Sequence, residues 1–435
     1  MELITDYNQL PICTLIQKLK ENDENIKFDD LKTELESYND ISFKEDGQLA
    51  IVYYNRFDPS SESLDLTLEN TTKSIILEKE SLKPLTTQFN KIIYNDNAYN
   101  FLKEKNWNKV VVNECHEGTM IVFFNYNGKW YISTRRCLDS TKSTWIKNKS
   151  YYDMVQEAME NVFTLDELNP DYCYHFVLVH HKNKNLVSHK NIDDNYKKLY
   201  HVLTTEKYTF KEITTTINDK VNVSPSLKFN SINDMIESLT VLSDNDVKSK
   251  KISSEGYVCR YYTGEVGDSP FITFKFQTQI YQTLAQLKPN NSNIYQCYLH
   301  LYQTNKLKTY LPYFGKVNGI VTTISSSLKN LSQELLNAYH MTRNHKNEEL
   351  YNLLPSSYKT VIYDLHGIYM KTSTDNNKSV PINVNSVYFY LKDISLNNLV
   401  KIYTDRLDLL TNPKVTFVNK SCIYTSTLTS LMLKN

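Results

Sequence analysis

Residues 110–136 read VVVNECHEGTMIVFFNYNGKWYISTRR and gather several groups able to do chemistry. Cys115 precedes a Glu117-Gly118-Thr119 turn, and Arg135 follows Trp130 and Thr134. A cysteine thiolate is a strong nucleophile. A cysteine buried on a strand is a small hydrophobe, and the neighbouring Val110-Val111-Val112 run favours that second reading. Lys44 is another candidate nucleophile, because it opens Lys44-Glu45-Asp46-Gly47 ahead of an apolar run. A lysine attacks only as the neutral amine, and the simpler reading here is an acidic turn with Lys44 in solvent. His180, His181 and His189 carry metal-binding donors, but adjacent strand residues face opposite ways and rarely share one ion. Lys182, Lys184 and Lys190, and then Lys248, Lys250 and Lys251, suit phosphate contacts or solvated turns equally. Asp364 and His366 diverge if they lie on a helix, and Gly367 is expected to cap that helix. The tyrosines and lysines of residues 302–313 suit base stacking or packing.

These groups need elements to hold them. Residues 10–38 carry helical spacing through Leu15, Ile16, Leu19, Leu31 and Leu35. Residues 41–136 turn to strands, with β-rich runs at 49–54, 74–77, 110–112, 120–124 and 130–132. Asn127-Gly128 predicts a tight hairpin, since both turn positions need positive φ. A helix over 151–163, strands at 176–179 and 199–203, a short helix over 232–242 and strands at 256–260 and 271–276 follow. Beyond residue 281 the periodicity is helical, over 280–287, 294–303, 328–339, 350–370 and 387–410. The change near residue 285 separates an α+β region from a mostly helical one.

With 435 residues the chain has material for two or three domains. Its formal net charge is zero, so any nucleic-acid site must be a local patch. Only 9 Gly and 11 Pro leave few flexible linkers. The seven cysteines are scattered without a C-x-x-C pair, so neither a zinc ribbon nor a disulfide framework is indicated, and the set suits a reducing compartment. No signal peptide or membrane-spanning run is read, so an intracellular, cytoplasmic protein without a membrane partner is expected. The abundance of Tyr, Asn, Lys and Ile is the bias of an AT-rich genome, as in large DNA viruses.

The 110–136 stretch resembles the active-site segment of phage-type, ATP-dependent RNA ligases, which carry K-x-D-G-S/T-L-I, a glycine turn and W-x-x-x-T-R. Glu117, Gly118, Thr119, Met120 and Ile121 fill D-G-S/T-L-I, and Trp130, Thr134 and Arg135 follow in place. Cys115 stands where the family's nucleophilic lysine belongs. Upstream, Lys73-Ser74-Ile75-Ile76 and Phe89-Asn90-Lys91 look like R-G-I-I and P-F-x-K-F-F-N-Y, without the arginine-glycine pair. Downstream, Phe176-Val177-Leu178-Val179 resembles F-E-L-V, with Val177 replacing a glutamate that contacts the ribose. Glu255-Gly256-Tyr257-Val258 matches E-G-x-V, and Lys275-Phe276-Gln277-Thr278 resembles K-x-K-T, with Gln277 replacing the second lysine. The steps from Cys115 to Val177, Glu255 and Lys275 are 62, 78 and 20 residues, in the family's order.

The resemblance covers residues 40–285 and implies a nucleotidyltransferase-type α+β core of two antiparallel sheets with flanking helices. It implies a domain over 1–285 and a mostly helical C-terminal domain over 286–435. Its cofactors would be ATP and Mg²⁺. Glu117, Gly118, Arg135, Val177, Lys275 and Gln277 would surround the nucleotide, and Glu255 would face the metal. In the family a lysine amine attacks the α-phosphate, and two lysines and a divalent cation stabilise the charge that gathers there. The expected function is an RNA-ligase-like protein with a lost nucleophile, inactive and kept to bind RNA or protein. The alternatives are an active ligase using Lys44 or a divergent site, and a viral structural or assembly protein that binds other viral proteins and no nucleotide.

Overall fold

Leu49–Tyr54 is a strand whose six residues are all buried, so both of its faces are covered. Ala50, Val52 and Tyr54 face one core with Ile12, Ile16, Leu31 and Leu35. Leu49, Ile51 and Tyr53 face a second core with Val122, Phe124 and Cys173. The computed structural model describes residues 6–55, 67–183, 186–189, 195–288, 291–313, 319–376 and 380–433. The chain divides into two compact units, Met1–Thr283 and Leu284–Asn435.

Three main sheets build the first unit. The four-stranded sheet runs Ile41–Asp46, Leu49–Tyr54, Ile75–Glu78, Pro84–Thr87, all antiparallel. A five-stranded sheet orders Asn222–Val223, Lys197–Glu206, Tyr172–His180, Thr119–Tyr126, Lys129–Ser133. A second five-stranded sheet orders Ser226–Leu227, Val110–Cys115, Gly256–Tyr262, Phe271–Gln277, Ile93–Tyr94. Each five-stranded sheet is antiparallel except for one two-residue edge strand that pairs parallel. The expected α+β core of two sheets with flanking helices is therefore present, and a third sheet is added to it.

The helices pack where the apolar stripes point. Tyr151–Met159 buries Met154, Val155 and Ala158 against Phe123, Phe176 and Leu178 of the first five-stranded sheet. Asn95–Leu102 and Ile232–Ser249 cover the second through Ala98, Leu102 and Met235. The Asn127-Gly128 turn has φ of 50° and 77°, as the dipeptide predicted. Gly256 sits at φ 141°, and a Cβ there would lie 2.0 Å from the Phe276 carbonyl oxygen.

The second unit is helical, and Ile294–Gln303, Ile320–Tyr339, Ser356–Asn376, Val384–Asp393, Leu396–Thr411 and Ile423–Leu433 are its longer helices. The expected 350–370 helix is two helices, because Pro355 cannot continue the first. Gly367 caps nothing: it lies inside Ser356–Asn376, where its missing side chain leaves open space. Asp364 and His366 do diverge, the first accepting from the Tyr390 hydroxyl at 2.6 Å and the second meeting Tyr339 at 3.4 Å. The helix expected over 232–242 continues to Ser249 and ends with Lys250 in the left-handed region. Its last turns are polar, which hid them from a search for apolar periodicity. Arg406 and Glu334 form a buried bidentate pair at 2.7 and 2.8 Å in this unit.

Two stability measurements check these constraints. Gly256→Ala should lower unfolding free energy by about 3 kcal/mol, since neither φ nor space admits a side chain. Arg406→Met should cost about 3–5 kcal/mol by leaving Glu334 buried without its partner.

Candidate functional site

The two five-stranded sheets of the first unit enclose a cavity of about 380 Å³. One wall is Thr119, Met120, His175, Val177, Val202 and Leu203; the other includes Cys115, Val258, Arg260, Thr273 and Lys275. Side-chain alternation places these groups, since 175 and 177 on one strand, and 273 and 275 on another, face the same way. Lys73, Gln88, Phe89 and Arg135 enter from the segments beyond the sheets.

Cys115 ends its strand opposite Gly256, and is 3% exposed. Burial pushes its thiol well above the ordinary cysteine value, and the neighbouring Glu255 carboxylate pushes the same way. Position 115 therefore holds a protonated thiol. Glu255, buried beside it, accepts from Lys275 Nζ at 2.8 Å and from Gln277 Nε2 at 2.9 Å, both on Oε1. Burial works against charge on Lys275, but the adjacent Glu255 carboxylate outweighs it and raises its pKa well above the lysine value.

Cys115, Val177, Lys275, Gly118 and Arg135 thus share one cavity, and Glu255 lies directly behind Lys275. Gln277 does not line it; its side chain joins Glu255 to Asn95. Glu117 does not line it either. Its carboxylate accepts from the backbone N–H groups of Leu186 and Val187 at 2.8 and 2.7 Å and from the Tyr281 hydroxyl at 2.6 Å. That fixes a loop, and burial raises its pKa. Lys44 is exposed on the four-stranded sheet, paired to Ile51 and 6.0 Å from the Tyr53 ring, away from the cavity. Arg135 donates to the Tyr54 carbonyl at 3.2 Å and stacks 4.5 Å above that ring.

The sequence reading missed Gln88, His116, His175 and Arg260 and gave Lys73 no site role. Lys73 and Gln88 lie in or beside the two upstream segments, and Arg260 is two residues beyond Val258 on one strand, but no local signal says which cavity their side chains enter. Arg260 pairs with Glu212 at 3.3 Å. His175 is driven down to about 3 by burial, with His201, Lys73 and Arg260 adding repulsion. His116 stacks on Tyr200 with ring centroids 3.7 Å apart, and burial lowers it to about 4.

Solved structures described as ATP-dependent RNA and DNA ligases are similar to this chain. An archaeal ATP-dependent RNA ligase in form 2 shares 12% identity over 66% of this chain and 68% of its own, with a TM-score of 0.39. The form 1 structure gives 10% identity, 68% and 70% coverage and a TM-score of 0.38. A protein from Aquifex aeolicus described as an ATP-dependent DNA ligase gives 12%, 81% of each chain and 0.38. No family profile and no curated relative matches the chain.

The remaining candidates have local partners. His180 Nε2 meets Glu157 at 2.9 Å, and His181 stacks on His180 and meets the Tyr196 carbonyl. Burial brings His180 down to about 4. Lys182 is exposed, and Lys184 and Lys190 fall outside the described residues. Lys248, Lys250 and Lys251 are exposed at the end of Ile232–Ser249. Among the described residues no three His, Cys, Asp or Glu side chains meet to hold a metal ion. Glu255 does not fit the implied Mg²⁺ on its own, since an ammonium and an amide already share one of its oxygens. No described helix is long and apolar enough to cross a membrane.

Thiol alkylation tests the state of Cys115. Iodoacetamide at pH 8 should leave Cys115 unmodified in the folded protein and modify it once guanidinium unfolds the chain, as read by peptide mass mapping. Native-state alkylation at that residue would contradict a buried, protonated thiol.

Proposed function

We propose that the first unit is an RNA-ligase-like module whose cavity binds a nucleotide and does not form an adenylate at position 115. The observation that carries this reading is the gathering of the cations Arg135, Arg260 and Lys275, with the amine of Lys73 beside them, around one cavity in a chain with zero net charge. Cations fixed around a confined, poorly hydrated space stabilise phosphate charge far more than the same cations in open water. The volume lies at the small end of ordinary ligand pockets.

Three residues favour binding over chemistry. A protonated Cys115 is a poor nucleophile, because the thiolate is the form that attacks. Val177 has no acceptor for a ribose hydroxyl. Gln277 is neutral and turned toward Glu255. Lys44, exposed outside the cavity, provides no replacement. RNA is the macromolecular partner we propose, reached through its phosphates, because only a local patch such as this one can attract a polyanion to a neutral chain.

Isothermal titration with ATP, with and without Mg²⁺, is the test. Saturable binding is expected, weakened about tenfold in Arg135→Ala, as befits one lost charge-assisted contact. Radiolabelled ATP should leave no label on Cys115 after a denaturing gel. A folded protein that binds no ATP, or a label mapping to Cys115, would contradict the reading.

A further inference from the structure

The first unit carries a second cleft, outside the cavity between the five-stranded sheets, with a volume of about 610 Å³. Ile232–Ser249 supplies one wall. Its Ile236, Thr240, Ser243 and Val247 recur at helical spacing and present one stripe to the cleft. Asn95–Leu102 supplies another wall through Asp96 and Tyr99, which share a helix face. The Tyr99 hydroxyl donates to Asn233 Oδ1 at 3.2 Å and ties the two helices together. Residues 279–283 also line the cleft, and Ile280 N donates to the Ser243 hydroxyl at 3.2 Å.

The lining carries charge of one sign. Asp96 and Asp244 reach the cleft, and among the described residues no lysine, arginine or histidine lines it. Neither carboxylate has an ion-pair or hydrogen-bond partner among the described residues. Lys248, one turn beyond Asp244, is exposed and lies outside the lining. Gln282 Nε2 donates to the Gln277 carbonyl at 2.9 Å, which leaves its Oε1 as an acceptor. The other lining side chains include the apolar Ile236, Leu239, Val247, Phe276 and Ile280. An aliphatic chain bearing ammonium groups suits all of these at once. Ammoniums pair with carboxylates and sit over a tyrosine face, and methylenes bury against apolar side chains. A bare divalent cation is poorly served, since it takes a full shell of oxygen ligands and no three acidic side chains meet among the described residues. The volume is that of an ordinary small-molecule site.

We propose that this cleft binds a linear aliphatic polyamine, with ammonium groups on Asp96 and Asp244 and methylenes along Ile236, Leu239 and Val247. The inference is independent of the nucleotide reading. The charge of the lining selects a cation, and the confined volume selects a small one over a folded partner. Exposed ion pairs contribute little singly. Affinity therefore depends on several ammoniums and buried methylenes acting together, and salt weakens it by screening.

The experiment titrates the full chain calorimetrically at low ionic strength, without nucleotide. The probes are spermidine, putrescine, octanediol, MgCl₂ and a tetralysine peptide. Saturable binding of one spermidine per chain is expected, with weaker binding of putrescine and none of the uncharged diol. Asp96→Asn and Asp244→Asn should each weaken spermidine about fivefold, as one exposed ion pair is lost. Thr240→Trp, which fills the cleft and leaves its charge alone, should weaken it at least tenfold. All three positions are exposed, so each variant should keep the wild-type Tm. If Thr240→Trp lowers the Tm, the two aspartate variants decide alone. Spermidine that does not bind, or binds equally well to both aspartate variants, overturns the inference. MgCl₂ that displaces spermidine at equal concentration overturns it in favour of a simple cation site. Tetralysine that binds more tightly than spermidine, and loses affinity in the same variants, overturns it in favour of a basic protein segment. No nucleotide is present, so each of these outcomes leaves the nucleotide reading where it stands.

Discussion

Glu255 is 4% exposed at the edge of the cavity, and a carboxylate so deeply placed must be paired. Lys275 and Gln277 pair it from the neighbouring strand, where the Gly256 to Gln277 register sets them at its side. The close approach of Gly256 to Phe276 keeps those strands in that register. The ionisation of three cavity groups depends in part on this ion pair. Its carboxylate raises the pKa of Lys275 and adds to the burial that raises Cys115, and its ammonium adds to the burial that brings Lys73 down to about 7.

The same pair explains why position 115 need not carry a lysine for the site to be coherent. An amine at 115 would place a second cation beside Lys275, whereas a thiol fits the burial without adding charge. A bound phosphate would meet Lys275 and Arg135 directly, and Val177 would present it only an apolar surface. The arrangement has the electrostatics of an anion site without an assembled nucleophile at 115.

Much of this frame was legible in the chain. The β-rich runs around Cys115, Val177, Glu255 and Lys275 were readable because β-branched and aromatic residues dominate them, with buried and half-buried positions alternating along Phe271–Gln277, and the Asn127-Gly128 turn declares its own backbone. The four-stranded sheet was only half visible, since Pro84–Thr87 contains a proline and two threonines. Asn95–Leu102 was missed because its sequence, NDNAYNFL, offers only a short apolar stripe. Gln88 and Arg260 were invisible as site residues for a different reason. Nothing in their local sequence reveals which cavity a side chain enters; that depends on how segments far apart in sequence pair. Glu117 misled in the opposite sense, because a motif position does not disclose that Tyr281 and the 186–187 backbone occupy its carboxylate.

The most direct test of the central claim is a crystal structure of the protein with a non-hydrolysable ATP analogue. The account predicts the analogue between the two five-stranded sheets, its phosphates against Lys73, Arg135 and Lys275 and no covalent bond to Cys115. An analogue bound elsewhere, with the cavity closed by its own side chains, would contradict it.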